Sequence, residues 1–311
     1  MPETPALPTR ADVERARATL GTRLHRTQML PSRTLGATLK CELFQRTGSF
    51  KARGALNKIA SLREDDRERG VITISAGNHA QAVAWAAREE GVDALVVMWR
   101  GASTQKIEAT RGYGATVDLE AGDPAAAFER LGRLREQTGR TLVHPFDDPV
   151  VIAGAGTVGL EIEEDAPDAD AVVVAVGGGG LVSGIRLALQ GTGKRVIAVE
   201  PESSRALHEG LRHGRPTPVT PRSIADGLSA PFAGELALEI CEDIERVLVT
   251  EDEIRIAFRM LYERAKLACE PAGAVPAAAW LAGKIDARHP VLVVSGGNVA
   301  AETAAGILAA R

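Results

Sequence analysis

Short runs of β-branched residues recur along this chain, separated by segments of helix length, and that alternation limits the fold more than any other feature. Runs at 71–74, 94–98, 115–119 and 141–143 flank segments at 78–90, 104–111 and 124–137. In those segments apolar residues return at helical spacing. The rhythm resumes with runs at 171–176, 195–200, 246–250 and 291–294. Strands this short, alternating with helices, predict an α/β fold with parallel, doubly wound sheets. Gly91, Gly112 and Gly139 mark helix ends. A composition shift at His144-Pro145-Phe146-Asp147-Asp148-Pro149 predicts a boundary between two such lobes. Upstream, 11–20 reads as a short amphipathic helix, and a strand at 38–43 leads into a helix at 52–62.

Composition removes whole classes of partner. The 311 residues carry a net charge of −4, only 4% aromatics and no basic cluster, so nucleic acid is not expected. The longest apolar runs are broken by Gly and Pro, and no membrane span is expected. Cys41, Cys241 and Cys269 lie far apart and read as reduced, buried thiols. The Pro-rich, polar stretch 1–12 has no apolar core of the kind a secretory signal needs. A cytoplasmic globular protein is expected.

Open α/β sheets bind ligands at the carboxyl ends of their strands, and the chemically distinctive residues all follow a predicted strand. Thr47-Gly48-Ser49-Phe50-Lys51-Ala52-Arg53-Gly54-Ala55 places Lys51 in the first turn of a helix. Unpaired N–H groups and the helix dipole disfavour further positive charge there. A neutral, nucleophilic amine is what a Schiff-base lysine requires. Next comes Ser75-Ala76-Gly77-Asn78-His79, where small residues between polar ones let backbone N–H groups reach a carboxylate. Ser75 or Asn78 serves equally well as a helix cap, and His79 as a structural histidine.

Gly177, Gly178, Gly179, Gly180 and Leu181 follow the run at 171–176. Four glycines cost backbone entropy with no evident packing return, which predicts a phosphate cradled at a helix start. Two weaker motifs are Ser295-Gly296-Gly297-Asn298 and Glu270-Pro271-Ala272-Gly273-Ala274, the second a tight entry into a helix. Gly154-Ala155-Gly156-Thr157-Val158-Gly159 satisfies the dinucleotide fingerprint G-x-G-x-x-G. That fingerprint wants an acid at the end of the next strand, and the next strand ends in the glycine run instead. It reads as a tight helix start, and a Rossmann NAD-dependent oxidoreductase stays open as an alternative.

Taken together and in this order, the motifs resemble the serine/threonine dehydratase and serine racemase family of fold-type II pyridoxal-phosphate enzymes. The resemblance spans about residues 23–298 and is nearest to short threonine dehydratases without a regulatory domain. It implies two α/β lobes: a large pyridoxal-phosphate domain from 1–69 and 147–311, and a small domain from 70–146. It implies that Lys51 holds pyridoxal 5'-phosphate, that Phe50 lies against its ring, and that Asn78 reaches its phenolic oxygen. Gly177 to Leu181 match the phosphate loop, and Ser295 the residue facing the pyridine nitrogen. Ser75, Ala76, Gly77, Asn78 and His79 match the loop for the substrate carboxylate.

The activity implied is β-elimination from L-threonine or L-serine, giving a 2-oxo acid and ammonia, in a homodimer acting on a small amino acid. A 3-hydroxyaspartate dehydratase is an alternative, with Arg53 or another basic residue receiving the second carboxylate. A serine racemase and a catalytically silent cofactor-binding protein are others. The racemases' second base is a serine where this chain has Ala76, which favours elimination. One ligand of the family's divalent-cation site is matched by Glu200, but Ala206 stands at the second.

Overall fold

The computed structural model describes residues 6–310, so the opening of the Pro-rich stretch 1–12 lies outside it. Among these residues ten strands are formed: β1 Met29–Ser32, β2 Ala37–Cys41, β3 Val71–Ile74, β4 Ala94–Trp99, β5 Thr116–Ala121, β6 Thr141–Leu142, β7 Ala171–Ala175, β8 Arg195–Pro201, β9 Glu245–Val249 and β10 Pro290–Val294. They make two sheets, ordered β1-β2-β10-β7-β8-β9 and β5-β4-β3-β6. Every pairing is parallel except β1 with β2. The two parallel lobes expected from the alternation are therefore present. Strand β1 was not expected, because Leu30 and Pro31 at its centre are exposed and an edge strand of this kind has no apolar alternation.

All residues of β7 and β10 are buried, which is why each reads as an unbroken apolar run rather than an alternating one. Parallel register then aligns the strand ends. Val294 of β10 pairs with Cys41 of β2, and Leu292 pairs with Val173 of β7. The segments that follow β2, β10 and β7 thus leave one edge of the sheet side by side.

Helix boundaries follow local chemistry. Asp123 accepts the N–H of Ala126, and Asp148 those of Val150 and Val151, each acid preceding a Pro in the first turn. Gly91 and Gly139 close their helices in the left-handed conformation, with φ of 65° and 63°. Gly112 does not. It lies within helix Thr104–Gly112, and the left-handed residue is Gly114, at φ 102°.

The dinucleotide-like glycines are neither a phosphate loop nor a helix start. They sit inside helix Pro149–Asp165, buried against helices Lys51–Ala60 and Gly180–Ala188. A Cβ at Gly154 would lie 2.6 Å from the Arg53 carbonyl oxygen, and one at Gly156 2.6 Å from that of Gly184. One at Gly159 would lie 2.7 Å from the Ala188 Cβ. The spacing records backbone-to-backbone helix crossings, and the oxidoreductase alternative loses its motif. Gly156→Ala should therefore cost about 1–3 kcal/mol by overpacking. Denaturant unfolding measures it, and an unshifted midpoint would show that the crossing yields without strain.

Candidate active site

Lys51 is the first residue of helix Lys51–Ala60, reached through a 3₁₀ turn in which Thr47 adopts φ 58°. Its neighbour Phe50 donates its N–H to the Ser295 carbonyl at 3.1 Å, and Gly297 donates to Gly48 at 2.9 Å. The segment after β10 is in this way stitched to the segment after β2. The Lys51 ammonium lies 5.1 Å from the Phe50 ring centroid and donates to the Pro145 carbonyl at 2.6 Å. Part of the lysine surface stays open to the cleft. Even so, crowding by protein atoms pushes its pKa from 10.5 down to about 8, against a raising influence from Glu270. The direction is the expected one, but the first cause is burial rather than the helix terminus.

Helix Gly180–Ala188 begins without a side-chain cap, behind Gly179 at φ 97°. Its opening amides have no intrahelical partner and suit an anion. The glycines do have a packing return, contrary to the sequence expectation. A Cβ at Gly178 would lie 2.2 Å from the Phe146 ring, and one at Gly179 2.3 Å from the Ala237 Cβ. Leu181, next in the helix, is a core residue.

Across the cleft, helix Asn78–Glu90 also starts without a side-chain cap, so neither Ser75 nor Asn78 has that task. Ser75 Oγ accepts the Gly77 N–H at 3.1 Å, and no atom would crowd a Cβ at Gly77. Ala76 is partly exposed. The Asn78 amide donates to Glu270 Oε1 at 2.7 Å and accepts from Asn298 Nδ2 at 2.8 Å. Asn298 also donates to the Thr47 carbonyl at 2.7 Å. These contacts join the two lobes at the strand ends.

His79 faces elsewhere. Its Nε2 lies 3.0 Å from the Val143 carbonyl, which can only accept, so that nitrogen carries the proton. Burial pushes its pKa down to about 3 and keeps the ring neutral.

One expectation is corrected here. Arg53 is buried and saturated: its guanidinium donates to both Glu42 oxygens at 2.8 Å and to the two Glu161 oxygens at 2.7 and 3.0 Å. It offers nothing to a substrate carboxylate. Glu200, at the end of β8, accepts the backbone N–H groups of Leu207 at 2.7 Å and His208 at 2.9 Å. Its oxygens hold the start of helix Ala206–His213, and burial raises its pKa to about 8.

Glu270 is the residue that sequence reading undervalued. It is buried, its carboxyl is pushed up to about 7 chiefly by burial, and its approach is why position 296 is glycine. A Cβ there would lie 2.4 Å from Glu270 Oε1. An acid directly before a helix-opening proline resembles an ordinary cap, which hides the signal. Pro145 and Phe146 were read only as a boundary, yet they supply the lysine's acceptor and the floor of the glycine loop. Two surface hollows of about 480 and 500 Å³ lie around Gln190, Gly191 and Lys194 and include none of these residues.

The arrangement fits pyridoxal phosphate: a crowded amine, an uncapped helix start at the end of the four-glycine run, and Ser295 between them at the middle strand end. The comparisons agree. Residues 19–297 match the family described as pyridoxal-phosphate dependent enzyme. The chain belongs to that family and is an enzyme that uses this cofactor. It is 45% identical over 301 residues to the L-threonine ammonia-lyase of Thermotoga maritima, covering 93% of this chain and 75% of that one. It is 40% identical over 303 residues to the catabolic L-threonine dehydratase of Escherichia coli, covering 93% and 92%.

Among solved structures, maize serine racemase superposes with a TM-score of 0.92 at 34% identity, covering 96% of each chain. Threonine deaminase isoform 2 of Solanum lycopersicum gives 0.89 at 30%, covering 100% of this chain and 98% of that one.

In the cofactor-free protein, acylation of Lys51 by an amine reagent should follow a pH curve centred near 8. Mass spectrometry of the labelled peptide reads it. A curve centred at the ordinary 10.5 would show that burial leaves the amine unperturbed.

Proposed function

We propose that this protein catalyses β-elimination from L-threonine or L-serine, releasing a 2-oxo acid and ammonia. The observation that carries the reading is the convergence of the Lys51 amine and Ser295 on one strand edge, facing the uncapped helix start at Asn78. The names of the similar threonine ammonia-lyases and dehydratases support the same chemistry. When bound, pyridoxal phosphate supplies the electron sink for charge that develops at the substrate Cα.

The chain's own residues do the rest. The opening amides of helix Asn78–Glu90 bind the substrate carboxylate, with the His79 ring holding that loop to Val143. The opening amides of helix Gly180–Ala188 bind the phosphate. Phe50 would lie against the cofactor ring, and Asn78, oriented by Glu270 and Asn298, would reach its phenolic oxygen. Lys51 removes the Cα proton, and its lowered pKa keeps enough of it unprotonated to do so near neutrality. Ser295 would face the ring nitrogen with a hydroxyl, which would not hold that nitrogen protonated as a carboxylate does and would suit elimination of the β-hydroxyl.

Two alternatives lose support. A racemase needs an acid/base group on the face opposite Lys51, and Ala76 has none. A 3-hydroxyaspartate dehydratase needs a free cation for the second carboxylate, and Arg53 is fully engaged. We also read residues 1–69 with 147–311 as the large domain and 70–146 as the small one. The membership of the two sheets supports this division. A cytoplasmic homodimer completes the proposal; among the described residues no helix is long and apolar enough to cross a membrane.

Purified, cofactor-loaded protein should release 2-oxo acid and ammonia from L-threonine or L-serine, and Lys51→Ala should abolish that release while leaving the circular dichroism intact. Steady turnover by the variant would sink the role of Lys51. Ala76→Ser should raise racemisation of serine relative to elimination. Chiral chromatography of the recovered serine reads the ratio, and an unchanged value would mean that residue 76 does not face the Cα.

A further inference from the structure

Lys106 stands on helix Thr104–Gly112, beside the smaller sheet. Its Nζ donates to Asp226 Oδ2 at 2.6 Å, bridging the two lobes. Asp226 opens the turn Asp226–Leu228, which lines the site from the large-sheet side. A Cβ at Gly177 would lie 3.1 Å from Leu228, and one at Gly227 3.4 Å from Glu270 Oε1. One turn therefore touches both the glycine loop and the buried glutamate. Lys106 and Asp226 both act on the charge of Glu270, in opposite directions, which places the pair at the site rather than on remote surface. The lysine side chain is 21% exposed and the aspartate 59%, so the pair sits at the mouth.

We propose that Asp226 sets the substrate selectivity of this site by holding Lys106 and so denying it to the side-chain carboxylate of a dicarboxylic β-hydroxy amino acid. The proposal rests on the amino-acid lyase reading above. With Lys51 committed to the cofactor and Arg53 enclosed by Glu42 and Glu161, Lys106 is the cation at this mouth that a second carboxylate could use. In the native chain such a substrate would meet a neutralised lysine and the unfavourable field of Asp226. A neutral side chain, the hydroxymethyl of serine or the hydroxyethyl of threonine, meets no such penalty. Asp226→Asn keeps the size of the side chain and leaves the ammonium uncompensated.

The test compares kcat/KM for L-threonine and threo-3-hydroxyaspartate in the cofactor-loaded wild type, in Asp226→Asn and in Asp226→Asn/Lys106→Met. Asp226→Asn should shift the ratio toward the dicarboxylate by about five-fold, the upper end for a partly exposed ion pair. The double variant should return it. Succinate should likewise bind more tightly to the single variant and relax again in the double, read by calorimetry without turnover. An unchanged ratio and unchanged succinate affinity in Asp226→Asn would overturn the proposal, as would the same shift in the double variant. Failure of the wild type to release 2-oxo acid from threonine or serine would overturn the lyase reading instead, and the succinate series would still decide the role of Asp226.

Discussion

One guanidinium beneath the lysine holds the site's framework. Arg53, two residues past Lys51, is enclosed by Glu42 and Glu161, with Thr157 on one amine and Lys40 on the far side of Glu161. Glu42 also accepts from Thr27 at 2.6 Å. The network ties the segment after β2, the lysine helix and helix Pro149–Asp165 into one body. Two lysine or arginine charges face two carboxylates, so the cluster is neutral as a whole, and each carboxylate oxygen has at least one donor. That is the condition under which buried charge is tolerated, and removing one member of such a set costs about 3–5 kcal/mol. The geometric result is a lysine helix whose first turn cannot rotate relative to the sheet edge.

On that fixed turn, the electrostatics of the site follow from burial. Crowding lowers Lys51 to about 8 and raises Glu270 to about 7, so an amine and a carboxyl near each other both lean toward their neutral forms. Each opposes the other's shift, since charge on one favours charge on its partner. Glu270 is also bonded to Asn78, and Asn78 to Asn298, so the small-lobe helix start is positioned by groups from the large lobe. The site exists only where the two lobes meet.

Much of this was readable before any coordinates. The period of the apolar runs announced parallel sheets because buried strands and amphipathic helices leave distinct signatures. The strand-end motifs announced a site because parallel sheets send their loops to one edge. What misled was glycine. The run at 177–180 reads as having no packing return, whereas Phe146 and Ala237 pack against it, and the triplet at 154, 156 and 159 reads as a tight helix start, whereas neighbouring helices close on it. A glycine reports that something comes close, without saying what. Arg53 misled for a related reason: a charged residue near a motif looks like a ligand until its partners are seen.

The sequence by itself determined the alternating α/β architecture, the helix-opening lysine and the order of the motifs along the chain, because these depend on residues near one another in the chain. Only the tertiary structure decided that β10 lies between β2 and β7, that Glu270 meets Asn78, and that Lys106 is spent on Asp226. The two side-chain pairings join residues 192 and 120 positions apart. They depend on strand order and lobe packing, which no local pattern encodes.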